Sequence, residues 1–594
     1  MNARKRGPCS TLFLGIALLV IGVRPISSQC VQPPGSFTFR QESRAVLVDV
    51  VVQDKSGRPI NGLKREAFHL FEDNTPETLA SFDLHTPGQN ANVQDFLPAL
   101  PGPSEEYSNF RKAPGEQSIT VLLFDSLNTA MADQQRARKQ MISFLKSLPP
   151  GQSVALFTLG TGLHMVQDFT GKSDVLIAAA NQLSSAPSPL YVEHGPDQIR
   201  EDDSLSGADL LKQAKLMNIN AKDIPNPQDR ARAVSEEIDT LMAEKGTYRM
   251  DVRVRLTLSA MEQLAHALAA YPGRKKLIWI SGSFPLSLGP DMDTGFSGHA
   301  SELLRDYTQQ LRLVETLLAR TQIAVYAIDV KGVMGTGAGA AVAGADAVSM
   351  NPDTRGTGLY EDRQQTSIAN TQATMQELAE HTGGRAFINQ NNLALSVKQA
   401  FDDGANYYIL SYVPNRNDYD GNYRVIKLKV DGVKDSELQY RRGYFAVSDT
   451  VLDPNQQHHS FVAAMQRNAP ESSGVLFKAK LSDAGAKDKI QIDFAIDARD
   501  ITFKDEQNCA KKLNMVVGAV AWTLDKKEPT RIFQIFDPVL TPEAFASYES
   551  NGIKVRQQII LGPGPAIVRL GVMDLATGKI GTVNIPYKIF SADR

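Results

Sequence analysis

Few residues in this 594-residue chain have the types and spacing of a chemical site. Asp125 closes the apolar run "SITVLLFD", and Asn128 and Thr129 follow at once. Ser281 and Ser283 flank a glycine at the end of a second apolar run, "KKLIWISGS". A carboxylate, an amide and hydroxyls are hard oxygen donors, the set that Mg²⁺ takes in octahedral array. The same residues also suit a plainer task. Asn128 or Thr129 makes a good N-cap, and a helix dipole favours Asp125 near the helix start. Ser281 and Ser283 lack the G-x-S-x-G setting of an activated serine nucleophile. Asp291-x-Asp293-x-Gly295 and Asp418-x-Asp420-Gly421 echo calcium loops without the terminal glutamate, and read as turns.

The elements around these residues alternate. "SITVLLFD" is a continuous apolar run, as a strand buried on both faces requires. Ala137, Met141, Phe144, Leu145 and Leu148 then recur at helical spacing until Pro149 and Pro150. "SVALFTLG" and "LHMVQDFT" read as strands, 173–183 as a helix, and 185–246 as a polar insertion. A long helix through Val252, Leu256, Met261, Leu264 and Leu268 leads to the strand "KKLIWISG". A helix over 300–320, the strand "QIAVYAIDV", a helix ending at Gly383–Gly384, a helix near 392–402 and the strand "NYYILSYV" complete the series. The pattern predicts a central α/β doubly wound domain over 117–414 with a mostly parallel sheet. Ligand sites in such sheets lie beyond the carboxyl ends of the strands, where Asp125 and Ser281 fall.

On these residues the chain resembles a von Willebrand factor type A domain. The phrases "VVVQDKSGRPINGLKREAFHLFEDNTPETLASF", "YPGRKKLIWISGSFP" and "YYILSYVP…YRVIKLKV…YRRGYFAV" resemble the exported acidobacterial von Willebrand-related family, over about residues 36–446. The resemblance implies an adhesion or protein-recognition fold with no catalytic activity, and a metal-ion-dependent adhesion site of the form D-x-S-x-S. That site adds a threonine from a second loop and an aspartate after a later strand. Carried over, Asp125 takes the first position and Thr129 replaces the second serine. Leu127 stands at the first serine position, where an alkyl group cannot ligate. Asn128 offers an amide oxygen one residue out of register. Neutral Ser281 and Ser283 stand where an aspartate is expected, and either Thr247 or Thr257 supplies the threonine. The metal set is therefore Asp125, Asn128, Thr129, Ser281 and Ser283 in degenerate form, and weak Mg²⁺ binding or none is expected because ligand charge tunes affinity.

Flanking segments read as β structure. Residues 36–85 form a small β module, 86–116 a Pro/Gly/Asn/Ser-rich linker, 415–447 a β extension, and 471–594 an immunoglobulin-like β-sandwich. Residues 1–28 read as a secretory signal peptide, from Arg4–Lys5–Arg6, an apolar core and Ser27–Ser28. Its removal takes four basic residues and no acids, moving the formal charge from −3 to −7. Neither value offers the basic face that nucleic acid needs, and no remaining apolar stretch is long enough to cross a bilayer. The cysteines, Cys9, Cys30 and Cys509, exclude a disulfide scaffold and leave Cys30–Cys509 as a possible pair. The expectation is an exported protein of the periplasm, cell envelope or exterior that recognises a protein partner. The alternatives are an envelope hydrolase using a strand-end serine and a purely structural envelope component.

Overall fold

The structure, a computed structural model, describes residues 45–85, 105–110, 118–148, 152–183, 248–282, 307–332, 371–403, 406–416, 418–433, 436–447, 454–484, 489–523, 528–561 and 564–589. It also describes single residues between them and the backbone of 227–247. The expected signal segment 1–28 lies outside these residues, as do 291–295 and Ser283.

One six-stranded sheet carries the candidate site. Its strands lie in the order Arg385–Phe387, Ile323–Asp329, Lys275–Ser281, Ser118–Asp125, Gln152–Leu159 and Leu163–Thr170. The first five run parallel and the last is antiparallel to its neighbour. Successive side chains alternate between two buried faces, as strand geometry demands. Val121, Leu123, Trp279 and Val325 meet the Pro227–Leu268 and Thr308–Arg320 helices on one side. Leu122, Phe124, Ile278 and Tyr326 meet the Met131–Leu145, Ser173–Gln182 and Leu393–Asp402 helices on the other. The long helix begins at Pro227 and so takes up part of the segment expected to be an unpatterned insertion.

The expected fold class, a central doubly wound α/β domain flanked by a small N-terminal β module and a C-terminal β-sandwich, does not hold. Among the described residues the protein is mostly β, and beside this single mixed sheet the other five sheets are wholly antiparallel. The physical reason lies in the strands themselves. An apolar run signals burial but not the direction of its neighbour. "NYYILSYV", read as one more parallel strand, contributes Tyr407–Tyr412, which instead pairs antiparallel with Val46–Gln53 and Leu79–His85. That sheet and a second one, in which Tyr423–Val430 pairs with Phe68–Glu72, enclose one core through Val48, Val50, Phe68, Leu70, Tyr408 and Leu428. The N-terminal module and the 415–447 extension are therefore one unit, built from both ends of the 45–447 region.

Two further antiparallel sheets share the C-terminal core through Phe477, Ile492, Phe494, Val517, Val568 and Leu570. An immunoglobulin-like sandwich made of 471–594 alone is not what forms. Glu106–Ser108, inside the expected linker, adds an edge strand to Phe477–Asp483. Asn109 locks it there, donating to the Ser472 and Val475 carbonyls at 2.9 and 2.8 Å and accepting from Phe477 N at 2.9 Å. The Pro454–Ala464 helix packs through Phe461 and Ala464 on Val520 and Met573. Fully buried Arg569 ties it down, donating to the carbonyls of Ala464 at 2.7 Å and Pro470 at 2.6 Å. Cys509 is disulfide-bonded and takes a left-handed φ of 60°. Among the described residues, no helix is long and apolar enough to cross a membrane.

Candidate functional site

The ends of the Ser118–Asp125 and Lys275–Ser281 strands lie side by side, because these strands pair in register from Thr120↔Lys276 to Phe124↔Ile280. This pairing brings Asp125 and Ser281 together. Asp125 is buried and all its bonding capacity faces protein. Its Oδ1 accepts from Asn128 N at 2.9 Å. Its Oδ2 accepts from Asn128 Nδ2 at 2.9 Å, Ser281 Oγ at 2.8 Å and Trp279 Nε1 at 3.1 Å. Burial pushes the Asp125 carboxyl above the usual aspartate range, and the bonds from Asn128, Ser281 and Trp279 oppose that rise.

A second tier holds the first. Asn128 Nδ2 also donates to Thr257 Oγ1 at 2.8 Å, and Arg253 Nε donates to Asn128 Oδ1 at 3.0 Å. Arg253 and Thr257 sit one turn apart on the long helix and so present one face to the loop. Of the two candidate threonines, Thr257 is the one at the site, while the side chain of Thr247 lies outside the described residues. Thr129 Oγ1 accepts from Gly282 N at 2.8 Å and thereby joins the two strand-end loops. A Cβ on Gly282 would sit 3.1 Å from both the Asn128 oxygen and Thr129 Cα, so the close approach depends on glycine. Ser126 N and Leu127 N both donate to the Leu159 carbonyl at 2.9 Å, tying the loop to a third strand.

One sequence expectation is corrected here. Neither Asn128 nor Thr129 caps the following helix. Ala130 is its N-cap, without a side-chain bond. Gln134 on the first turns reaches back instead, donating to the carbonyls of Ser126 at 3.1 Å and Thr129 at 2.8 Å. Leu127, at the position where a ligating serine would stand, is 1% exposed and belongs to the core beside Trp279. The loop therefore spends its first serine position on packing.

Asn128 and Ser281 thus bond Asp125 directly, Thr257 joins through Asn128 and Thr129 through Gly282, whereas Ser283 lies outside the described residues. Sequence reasoning missed Trp279, Arg253 and Asp329. Trp279 and Ser281 alternate onto one face of their strand, and that spacing was visible. Asp329 closes "IAVYAID" much as Asp125 closes "SITVLLFD", and it pairs in register with Ser281. Its carboxylate accepts from Lys331 N at 2.9 Å and Gln372 Nε2 at 3.0 Å, and burial raises its pKa. Asp418 and Asp420 face arginine rather than a cation site. Arg424 reaches both, at 3.3 and 2.9 Å. Among the described residues no group of three His, Cys, Asp or Glu side chains is placed to hold a metal ion.

No protein-family model and no curated protein matches the chain. Among solved structures it is similar to the PilB minor pilin from Streptococcus sanguinis, at 12% identity and a TM-score of 0.21. That match covers 49% of this chain and 61% of the pilin, so the chain spans less than two thirds of its length. An aspartate-to-alanine mutant of the same pilin gives 10% identity and a TM-score of 0.22, over 60% of this chain and 86% of that one. Likeness at this level carries no conclusion about fold or function.

Proposed function

We propose that this chain is an exported, non-enzymatic recognition protein related to the von Willebrand type A kind, whose strand-end loops act without a metal ion. The observation that carries the reading is the Asp125 carboxylate, which receives four hydrogen bonds from the protein's own groups. A cation bound there would have to displace several of them and recover their cost from neutral ligands, while Mg²⁺ holds its own waters tightly. The cluster instead fixes the 126–130 loop and its junction with Gly282, which lowers the ordering cost of binding a protein partner.

The resemblance is supported by the meeting of Asp125, Asn128, Thr129, Thr257 and Ser281 in one cluster from three separate segments. Export is supported by the charged and apolar pattern of residues 1–28 and by the Cys509 disulfide, which suits an oxidising compartment. For the hydrolase alternative, which needs Ser281 or Ser283, burial of Ser281 and its donation to a carboxylate disfavour that serine. Affinity capture from the native envelope tests the reading, using the intact chain and Met131→Glu. Met131 is 41% exposed at the start of the helix that follows the loop. The expected result is a protein retained equally with and without chelator and lost in the variant. Retention of nothing, or retention unaffected by the variant, favours a structural component. Labelling of Ser281 by a serine-directed probe would favour the hydrolase.

A further inference from the structure

A cleft of about 410 Å³ opens between the Thr308–Arg320 helix and the Tyr423–Val430 and Gly443–Phe445 strands. Arg320 and His381 on its wall stand just before the strands that begin at Ile323 and Arg385. It therefore lies by the strand starts, at the opposite end of the mixed sheet from Asp125. Its volume falls within the roughly 300–1,000 Å³ of small-molecule sites.

Three of the polar side chains on its wall carry an unpaired buried atom. Arg441 rests 5.8 Å from the Tyr444 ring centroid, makes no hydrogen bond or ion pair among the described residues, and has a buried Nε without an acceptor. Glu315 is 4% exposed. One of its oxygens meets His381 Nδ1 at 3.0 Å and the other is buried without a donor. The Tyr423 hydroxyl is buried without a partner as well. Aromatic faces line the same space, with the Tyr423 ring 4.7 Å from His381 and 4.9 Å from Phe445. The wall holds four arginines against two acids, and Asp418 is already engaged by Arg416 and Arg424.

Buried polar groups are almost always satisfied, and a guanidinium without a hydrogen-bonding acceptor is costly even where a carboxylate such as Asp49 attracts it from a distance. Three such unpaired atoms stand on residues that line one cleft. We propose that the cleft binds a carboxylate ligand that pairs with the Arg441 guanidinium, donates an N–H or O–H to Glu315, and lays an apolar body on Tyr423 and Phe445. Arginine's planar fork matches a carboxylate two bonds at a time. A small free acid and the carboxyl end of a peptide both carry this chemistry.

Calorimetric titration of the full chain tests it with matched probes. N-acetylphenylalanine is compared with its amide, and a short peptide ending in phenylalanine with its amidated form. At least one acid is expected to bind about tenfold or more tighter than its amide, as a charge-assisted hydrogen bond implies. The probe that binds better identifies the source. Arg441→Gln should abolish the preference and Arg441→Lys should keep part of it. Equal binding of acid and amide, no binding of any probe, or a preference that survives Arg441→Gln overturns the proposal. Should Arg441→Gln fail to fold, the acid–amide comparison on the unaltered chain still decides.

Discussion

The two ends of the mixed sheet treat charge in opposite ways. At the strand ends, Asp125 receives four hydrogen bonds on its two oxygens from the protein's own groups. By the strand starts, Arg441 has no hydrogen-bonding partner among the described residues and lines an open cleft. A carboxylate in a motif-like position has been consumed in holding two loops together. The charge left available sits where no motif draws the eye. Residue type at a favoured place in a fold is thus a poor guide to function until its bonding capacity is counted.

The largest expected effect tests the closed end. Asp125→Ala strands buried donors on Asn128, Trp279 and Ser281, so chemical unfolding should show a loss of about 3 kcal/mol or more, with or without chelator. A loss near 1 kcal/mol, the size of a missing helix cap, would mean that the cluster relaxes easily. The open end should respond with the opposite sign. Arg441→Met removes a cation with no hydrogen-bonding acceptor among the described residues and keeps its packing, so it should stabilise the chain by about 1 kcal/mol, the lost attraction to buried Asp49 offsetting part of the gain, while abolishing carboxylate binding. Destabilisation of that size would show that Arg441 has a structural partner after all.

Between the two lies Lys276, on the strand that ends at Ser281. It is 1% exposed and its ammonium donates to the Phe401 carbonyl. Burial, reinforced by nearby Arg274 and opposed by Asp403 and Asp402, pushes its pKa from 10.5 down to about 7. Between those pH values the unfolded chain holds more protons on this lysine than the folded one. Stability should therefore rise with pH across that window and fall as pH drops through 7. Lys276→Met should flatten this slope by up to about 1.4 kcal/mol per pH unit in unfolding curves collected from pH 7 to 10. An unchanged slope would show that Lys276 keeps an ordinary pKa. The smallest effect belongs to Thr129→Val, which orphans Gly282 N and should cost about 1 kcal/mol in the same assay.

Much of this contrast could be read in the sequence, but unevenly. The strand-to-loop position of Asp125, Asn128 and Thr129 was legible because an apolar run closing on an acid marks a buried strand end. Thr257 was legible only as one of two choices, since helical phase alone does not say which turn of a long helix meets a loop. The cleft was invisible. Glu315, His381, Tyr423 and Arg441 come from four segments more than a hundred residues apart in total span, and each looks like an ordinary surface residue in its own segment. The β unit at 45–447 was split in the sequence for the same reason. Val46–Gln53 finds its partners at Tyr407–Tyr412 and Glu437–Gln439, and strand patterning carries no record of such distant pairing. Glu106–Ser108 was hidden by its length, three residues inside a stretch of turn formers.

The central claim is that Asp125 closes two loops and does not hold a cation. Calorimetric titration of the full chain with Mg²⁺, Mn²⁺ and Ca²⁺, alongside Asp125→Ala, tests it most directly. The account predicts no saturable binding that depends on Asp125, and a stability loss in the variant that is the same with and without chelator. Micromolar binding of any of these ions that vanishes in Asp125→Ala would contradict it.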